Sequence, residues 1–237
     1  MEFLSSNQHT LVYNVLSFGT AVMFGAFVYF LTQIKSVREE YRSGVAVSAV
    51  VVGIAGYHYY RIWSGFSVGE MNEGYRYADW LITVPLLIVE LLIVLGVASA
   101  LRKNLMWKLV PASILMIGLG YPGEISSSTG TKWVFWIMAI IPFVYILYVL
   151  YGQLQEAEKR ETGAVATSIK NATLVLLSTW CVYPIAYLFP IFDAESGTLE
   201  TLRQVGYTFA DITAKGLYGL MILSIAKARS TESKSSS

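Results

Sequence analysis

Residues 75–101 read YRYADWLITVPLLIVELLIVLGVASAL. At about 1.5 Å of rise per residue, a helix of this length crosses a hydrocarbon layer of roughly 30 Å. Its apolar run is too continuous for a helix with one wet face, yet Asp79 and Glu90 lie inside it. Outward from this stretch the same character recurs. Uncharged runs extend over Phe3 to Ile34, Ser43 to Tyr60, Trp133 to Gln155 and Asn171 to Phe192. A shorter one, Leu109 to Gly123, ends at Glu124, and Gln204 to Ala226 is interrupted only by Asp211 and Lys215. The expectation is an all-α bundle of seven membrane-spanning helices, at 10–34, 44–64, 73–100, 105–123, 132–155, 165–190 and 200–227. The short polar connections leave no room for a soluble domain.

Composition agrees. Of 237 residues, 55% are hydrophobic and 14% charged, too apolar for an ordinary soluble surface. A formal net charge of +1 offers no basic field for nucleic acid. One cysteine, Cys181, makes no internal disulfide, and with two histidines it makes no structural zinc site of the usual kinds. Pro85, Pro142 and Pro184 lie within spans, where neighbouring helices satisfy the freed carbonyls, and Pro111 lies near a helix start. The N-terminus has no basic region and cleavage site in series, so the first span is expected to be retained. Residues 1–229 then form the transmembrane domain, and 230–237, which contain only Ser, Thr, Lys and Glu, a disordered cytoplasmic tail.

Basic residues orient the bundle. Connections 1–2, 3–4 and 5–6 with the C-terminus hold Lys35, Arg38, Arg42, Arg102, Lys103, Lys108, Lys159, Arg160, Lys170, Lys227, Arg229 and Lys234, against Arg61, Arg76, Lys132 and Arg203 on the other side. Twelve against four puts the C-terminus in the cytoplasm and the N-terminus outside.

Ionisable groups within spans are expensive and point to function. Asp79 and Glu90, eleven residues apart, share nearly one helix face and stand roughly 16 Å apart along it. Thr83 shares that face. Asp211 and Lys215 are neighbours one turn apart on the seventh span. Taken singly, Glu90 is as well explained by a hydrogen bond to a neighbouring helix, and Asp211 with Lys215 by a packing ion pair. Together they form proton-holding sites spread across the bilayer, which points to proton translocation without saying what drives it.

Three stretches carry a resemblance: Arg76-Tyr77-Ala78-Asp79-Trp80-Leu81-Ile82-Thr83-Val84-Pro85-Leu86-Leu87, Trp180-Cys181-Val182-Tyr183-Pro184 and Asp211-Ile212-Thr213-Ala214-Lys215. They resemble the third, sixth and seventh helices of microbial rhodopsins, most closely the bacterial proton pumps of the proteorhodopsin and xanthorhodopsin type. The resemblance spans essentially the whole chain. It implies a light-driven outward proton pump in which Lys215 binds all-trans retinal as a protonated Schiff base. Asp79 matches the counterion and proton acceptor, Asp211 the second counterion, Thr83 a hydroxyl bonded to the acceptor, and Glu90 the cytoplasmic donor. Arg76 matches the arginine below the counterions.

Trp80 and Trp180 match the indoles on either side of the polyene, and Tyr183 the tyrosine bonded to the second counterion. Met116, Gly120, Trp136, Phe143 and Tyr187 fall where the family lines the rest of the pocket. Leu87 stands where green-absorbing members carry leucine. His58, at a depth similar to Asp79, matches a histidine that contacts the counterion, and is otherwise a core histidine. Glu124 matches a glutamate near the release side, and is otherwise a loop carboxylate. Family members that bind a carotenoid antenna have glycine where this chain has Trp136, so no antenna is expected. The resemblance implies a pentamer or hexamer in membrane lipid. The rival expectations are a sodium or chloride pump, a sensory photoreceptor, or a lightless carrier in which Lys215 serves an ion pair.

Overall fold

The computed structural model describes residues 4–235, and side chains as far as residue 230. It is helical, with no strand among the described residues. The first five spans are single helices: α1 (Ser6–Gln33), α2 (Glu39–Ser67), α3 (Gly74–Val94), α4 (Ser99–Glu124) and α5 (Thr129–Arg160). The sixth is broken into α6 (Gly163–Trp180), α7 (Val182–Tyr187) and α8 (Phe189–Phe192). The seventh runs from α9 (Gly197–Asp211) through a π-helical turn (Ile212–Leu217) into α10 (Tyr218–Ser235).

Local chemistry sets several ends. Ser5 caps α1 reciprocally with Gln8, its hydroxyl accepting from Gln8 N while the Gln8 side chain accepts from Ser5 N at 2.9 Å. Ser128 and Ser196 cap α5 and α9 by accepting from Thr131 N and Leu199 N. Most helices outrun the apolar cores from which the spans were read, because polar end residues still continue the backbone ladder. The third span is the exception. It stops at Val94 rather than 100 because Gly96 adopts φ +64°, which ends the helix in a left-handed turn. The seventh span is helical to Ser235, beyond residue 230, where a tail was expected to begin, and 236–237 lie outside the described residues.

The bundle is not evenly buried. Within the most apolar window of each span, 61% of the third and of the seventh lies inside the molecule, against 17% of the fifth. Large apolar side chains such as Ile141, Val144, Tyr148 and Phe192 cover the outside, as suits a face against lipid. The two central helices are the ones that carry Asp79, Glu90, Asp211 and Lys215. All four are buried, so Asp79, Asp211 and Lys215 meet one another rather than lipid, and Glu90 faces Ser48 inside the bundle.

Candidate functional site

Lys215 sits in the π-helical turn, whose wider winding departs from the regular α-helical step between Asp211 and Tyr218. Its Nζ pairs with Asp79 Oδ2 across the core and with Asp211 Oδ1 at 2.9 Å on its own helix. One cation thus faces two carboxylates in a dry interior, where each interaction is far stronger than in water.

The two carboxylates are held differently. Asp211 is fully enclosed. Tyr183 donates to Oδ1 at 2.7 Å, Tyr59 to Oδ2 at 2.8 Å, and Trp80 Nε1 to Oδ1 at 3.1 Å, while Arg76 Nη1 stands 3.9 Å from Oδ2. Asp79 has the lysine alone, and its buried Oδ1 has no partner. Of the pair, Asp79 is therefore the group whose environment leaves an oxygen open to a proton. Thr83 shares the Asp79 face as expected, but its hydroxyl donates to the Asp79 backbone carbonyl at 2.9 Å and not to the carboxylate. A threonine inside a helix commonly bonds back to the i−4 carbonyl. His58 behaves alike, with Nδ1 3.0 Å from Ile54 O, and it borders a lipid-side groove with Phe27, Tyr57 and Ile82.

Glu90 lies further along α3, with Ser48 of α2 donating to its Oε1 and no partner on Oε2. The Tyr218 hydroxyl, one turn after Lys215, is also buried without a partner. No ion pair reaches Glu90 among the described residues.

At the opposite end of α3 the charges form one continuous network. Arg76 reaches Tyr59 at 3.1 Å, Gln204 at 2.7 Å and Glu73 at 3.1 Å, and its guanidinium lies 5.0 Å over the Tyr207 ring. Gln204 passes the connection on through Nε2 to Glu73 at 2.6 Å and Glu200 at 2.9 Å. Arg203 then gathers Glu200 (2.9 Å), Glu73 (3.5 Å) and Glu124, whose other oxygen accepts from Tyr77 at 3.1 Å. Glu124 is thus a buried member of a cluster and not a solvated loop carboxylate. Burial pushes the Glu73 carboxyl up, but Arg203 and Arg76 outweigh it and hold it below the ordinary glutamate range. The sequence does not single out Tyr59, Gln204, Ser48 or Tyr218, and it offers Arg203 only as one of four basic residues on this side. Lone tyrosines, serines and glutamines on apolar helices leave no spacing signal.

An apolar cavity opens from Lys215 between the helices. Trp80 and Trp180 both line it, with Tyr183, Tyr187, Leu87, Met116, Gly120, Trp136 and Phe143, each of them anticipated from sequence. Tyr77, Val84, Ile117, Ala139, Ile140, Pro184 and Tyr207 complete the wall. A Cβ on Gly120 would come within 3.2 Å of the Tyr77 ring, so a side chain there would crowd the wall. Trp136 is pinned by donating from Nε1 to Pro184 O at 2.9 Å. That carbonyl is free because Leu188 N bonds Ile185 O in the broken sixth span.

Residues 10–229 match the sequence profile of the family described as bacteriorhodopsin-like protein. The chain belongs to that family. Among its relatives are the green-light absorbing proteorhodopsin of the gamma-proteobacterium EBAC31A08, 30% identical over 87% of this chain and 83% of that one, and archaerhodopsin-3 of Halorubrum sodomense, 31% identical over 88% and 82%. Among solved structures, xanthorhodopsin, described as a light-driven ion pump with dual chromophore, superposes with a TM-score of 0.91 at 44% identity, covering 98% of each chain. A thermophilic rhodopsin superposes at 0.90 and 41%, covering 97% of this chain and 98% of that one. This rhodopsin is accordingly a multi-pass protein of the bacterial cell membrane, and retinal, usually all-trans in pumps, is the chromophore of its family.

The residues present fit that chromophore. The cavity is almost wholly apolar, two indoles face into it, and its one amine is the buried Lys215. Asp79 and Asp211 stand ready to balance a positive nitrogen, and the unpartnered Asp79 Oδ1 marks a place where a polar group is wanted.

Proposed function

We propose that this rhodopsin is a light-driven pump that moves protons outward, with its N-terminus outside and its C-terminus in the cytoplasm. The observation that carries the reading is the division of carboxyl groups about Lys215: Asp79 against the nitrogen with an oxygen to spare, and Glu90 further along the same helix on the other side. The excess of basic residues at the Glu90 end supports the orientation.

Bound retinal, attached at Lys215, supplies a light-driven change in the direction and proton affinity of Nζ. The residues do the rest. Asp79 accepts the proton that leaves Nζ. Asp211, with Tyr59, Tyr183 and Trp80 all donating to it, stays an anion and keeps the site's charge balanced. Arg76 links this centre to Glu73 and, through Gln204, to the Arg203 cluster, where Glu124 stands on the release side. Glu90 returns a proton to Nζ, past Tyr218. Ser48 orients the Glu90 carboxyl, and Thr83 fixes the backbone beneath Asp79. His58, whose Nδ1 stands against Ile54 O, shares no hydrogen bond with Asp79 among the described residues and has no part in the proposed transfer. Leu87 in the cavity wall favours green absorption. An antenna pigment is not part of the proposal, because Trp136 fills the wall there.

A chloride pump is disfavoured because Asp79 already supplies the anion at Nζ. The residues Asp79, Thr83 and Glu90 also depart from the Asn-Asp-Gln of sodium pumps, and a sensor has no use for Glu90. Retinal added to the expressed protein is expected to yield a visible band that hydroxylamine bleaches, and absence of the band returns the lightless carrier. Glu90→Gln should form the pigment but slow reprotonation of Nζ by about a hundredfold, the scale of a lost general acid. An unchanged flash-photolysis decay removes Glu90 from the donor role.

A further inference from the structure

The C-terminal end of α3 is finished by residues of two other spans. A helix leaves its last four carbonyls without intrahelical partners. Here all of them are satisfied. Leu92 O accepts from Val97 N at 3.3 Å and Ile93 O from Gly96 N at 3.0 Å, the pair of bonds that accompanies a left-handed residue after a helix. Val94 O accepts from Arg229 Nη1 of α10 at 3.2 Å, and Leu95 O from Arg160 Nη2, the last residue of α5. Glu161, the next residue, binds Arg229 Nη2 at 2.7 Å. Two guanidiniums at the negative end of a helix are well placed electrostatically. They are also packed close, since a Cβ on Gly96 would lie 3.3 Å from the Arg160 guanidinium.

This arrangement closes the end of α3 that lies beyond Glu90. Glu90 precedes Val94 by four residues, roughly 6 Å along the axis, and is fully buried. The Arg229 and Glu161 side chains are 14% and 27% exposed, so the clamp is the layer where the interior meets water. It also anchors the joint between the fifth and sixth spans, because α6 starts at Gly163, two residues past Glu161, at φ +66°.

We propose that Arg160, Glu161 and Arg229 form a latch that seals Glu90 from the aqueous phase, and that its release sets the rate at which Glu90 regains a proton during pumping. The inference rests on the reading of Glu90 as donor. The three are positioning residues: none touches Lys215 or the cavity wall. Opening needs only the two guanidinium bonds and the one ion pair to part, which leaves the helix end held by the Gly96 turn alone and freer to fray.

Full-length pigment in lipid vesicles tests this with Glu161→Gln, Arg229→Gln and Arg160→Gln. Time-resolved infrared spectroscopy of the Glu90 carboxyl band should show its recovery accelerated by roughly three- to tenfold, the scale of one net hydrogen bond removed from a barrier at a partly exposed site. Proton arrival at Asp79 should keep its native rate. Unchanged or slower recovery in all three variants overturns the latch. Amide exchange of residues 94–97 in native pigment gives an independent reading. Exchange faster under illumination than in darkness supports release of the latch, and equal exchange overturns it. Failure of the donor reading is seen separately, as a carboxyl band that Glu90→Gln leaves in place.

Discussion

Asp79→Asn is expected to form pigment and to pump no protons outward. In the native chain Asp79 faces Lys215 Nζ through Oδ2 and keeps Oδ1 unpartnered, which makes it the one carboxylate at the nitrogen with room for a proton. Asn keeps the shape and an acceptor oxygen, so the cavity and its indoles are retained. It removes the proton site itself, and loss of a positioned base costs about two to four orders of magnitude in transfer rate. Asp211 is a poor substitute: three hydrogen bonds and Arg76 already stabilise its anion. Acidification by the mutant at the native rate, with pigment contents matched, would remove Asp79 from the acceptor role.

The second large effect is on stability. Arg203→Ala leaves Glu73, Glu124 and Glu200 converging on a site without its central cation, and breaking a buried ion pair in this way costs about 3–5 kcal/mol. Thermal bleaching should therefore occur at clearly lower temperature. Adding Glu124→Gln should recover part of the loss, because it removes the anion most deeply enclosed with Arg203. The pH dependence has a definite sign. Glu73 is held below its ordinary value in the folded protein, so its contribution is present at neutral pH and fades as acid protonates it. The gap between native and Arg203→Ala protein should narrow on acidification. A gap that widens in acid, or a mutant as stable as the native protein, contradicts the cluster's role.

Much of this was legible in residues 75–101. Continuous apolarity implied a buried helix, and the positions of Asp79, Thr83 and Glu90 implied one functional face. Depth-sorting of charges likewise singled out Asp211 and Lys215. What stayed hidden has physical reasons. The π-helical turn around Lys215 depends on packing rather than on any residue that breaks a helix. Thr83 lies on the right face, but only the backbone geometry shows that its hydroxyl turns to a carbonyl. Tyr59 meets Asp211 across a separation of 152 residues, and Arg203 meets Glu124 across 79, contacts that no periodicity encodes. The early end of α3 was within reach, since glycine after an apolar run is a helix stop, yet the apolar residues past Gly96 concealed it.

The most direct test is the light-induced pH change of a suspension of cells that make this protein with all-trans retinal, measured with and without a protonophore. Outward pumping predicts acidification of the medium under light that the protonophore abolishes. Alkalinisation, or a pH change that the protonophore enhances, would contradict it and return the protein to another kind of ion transport.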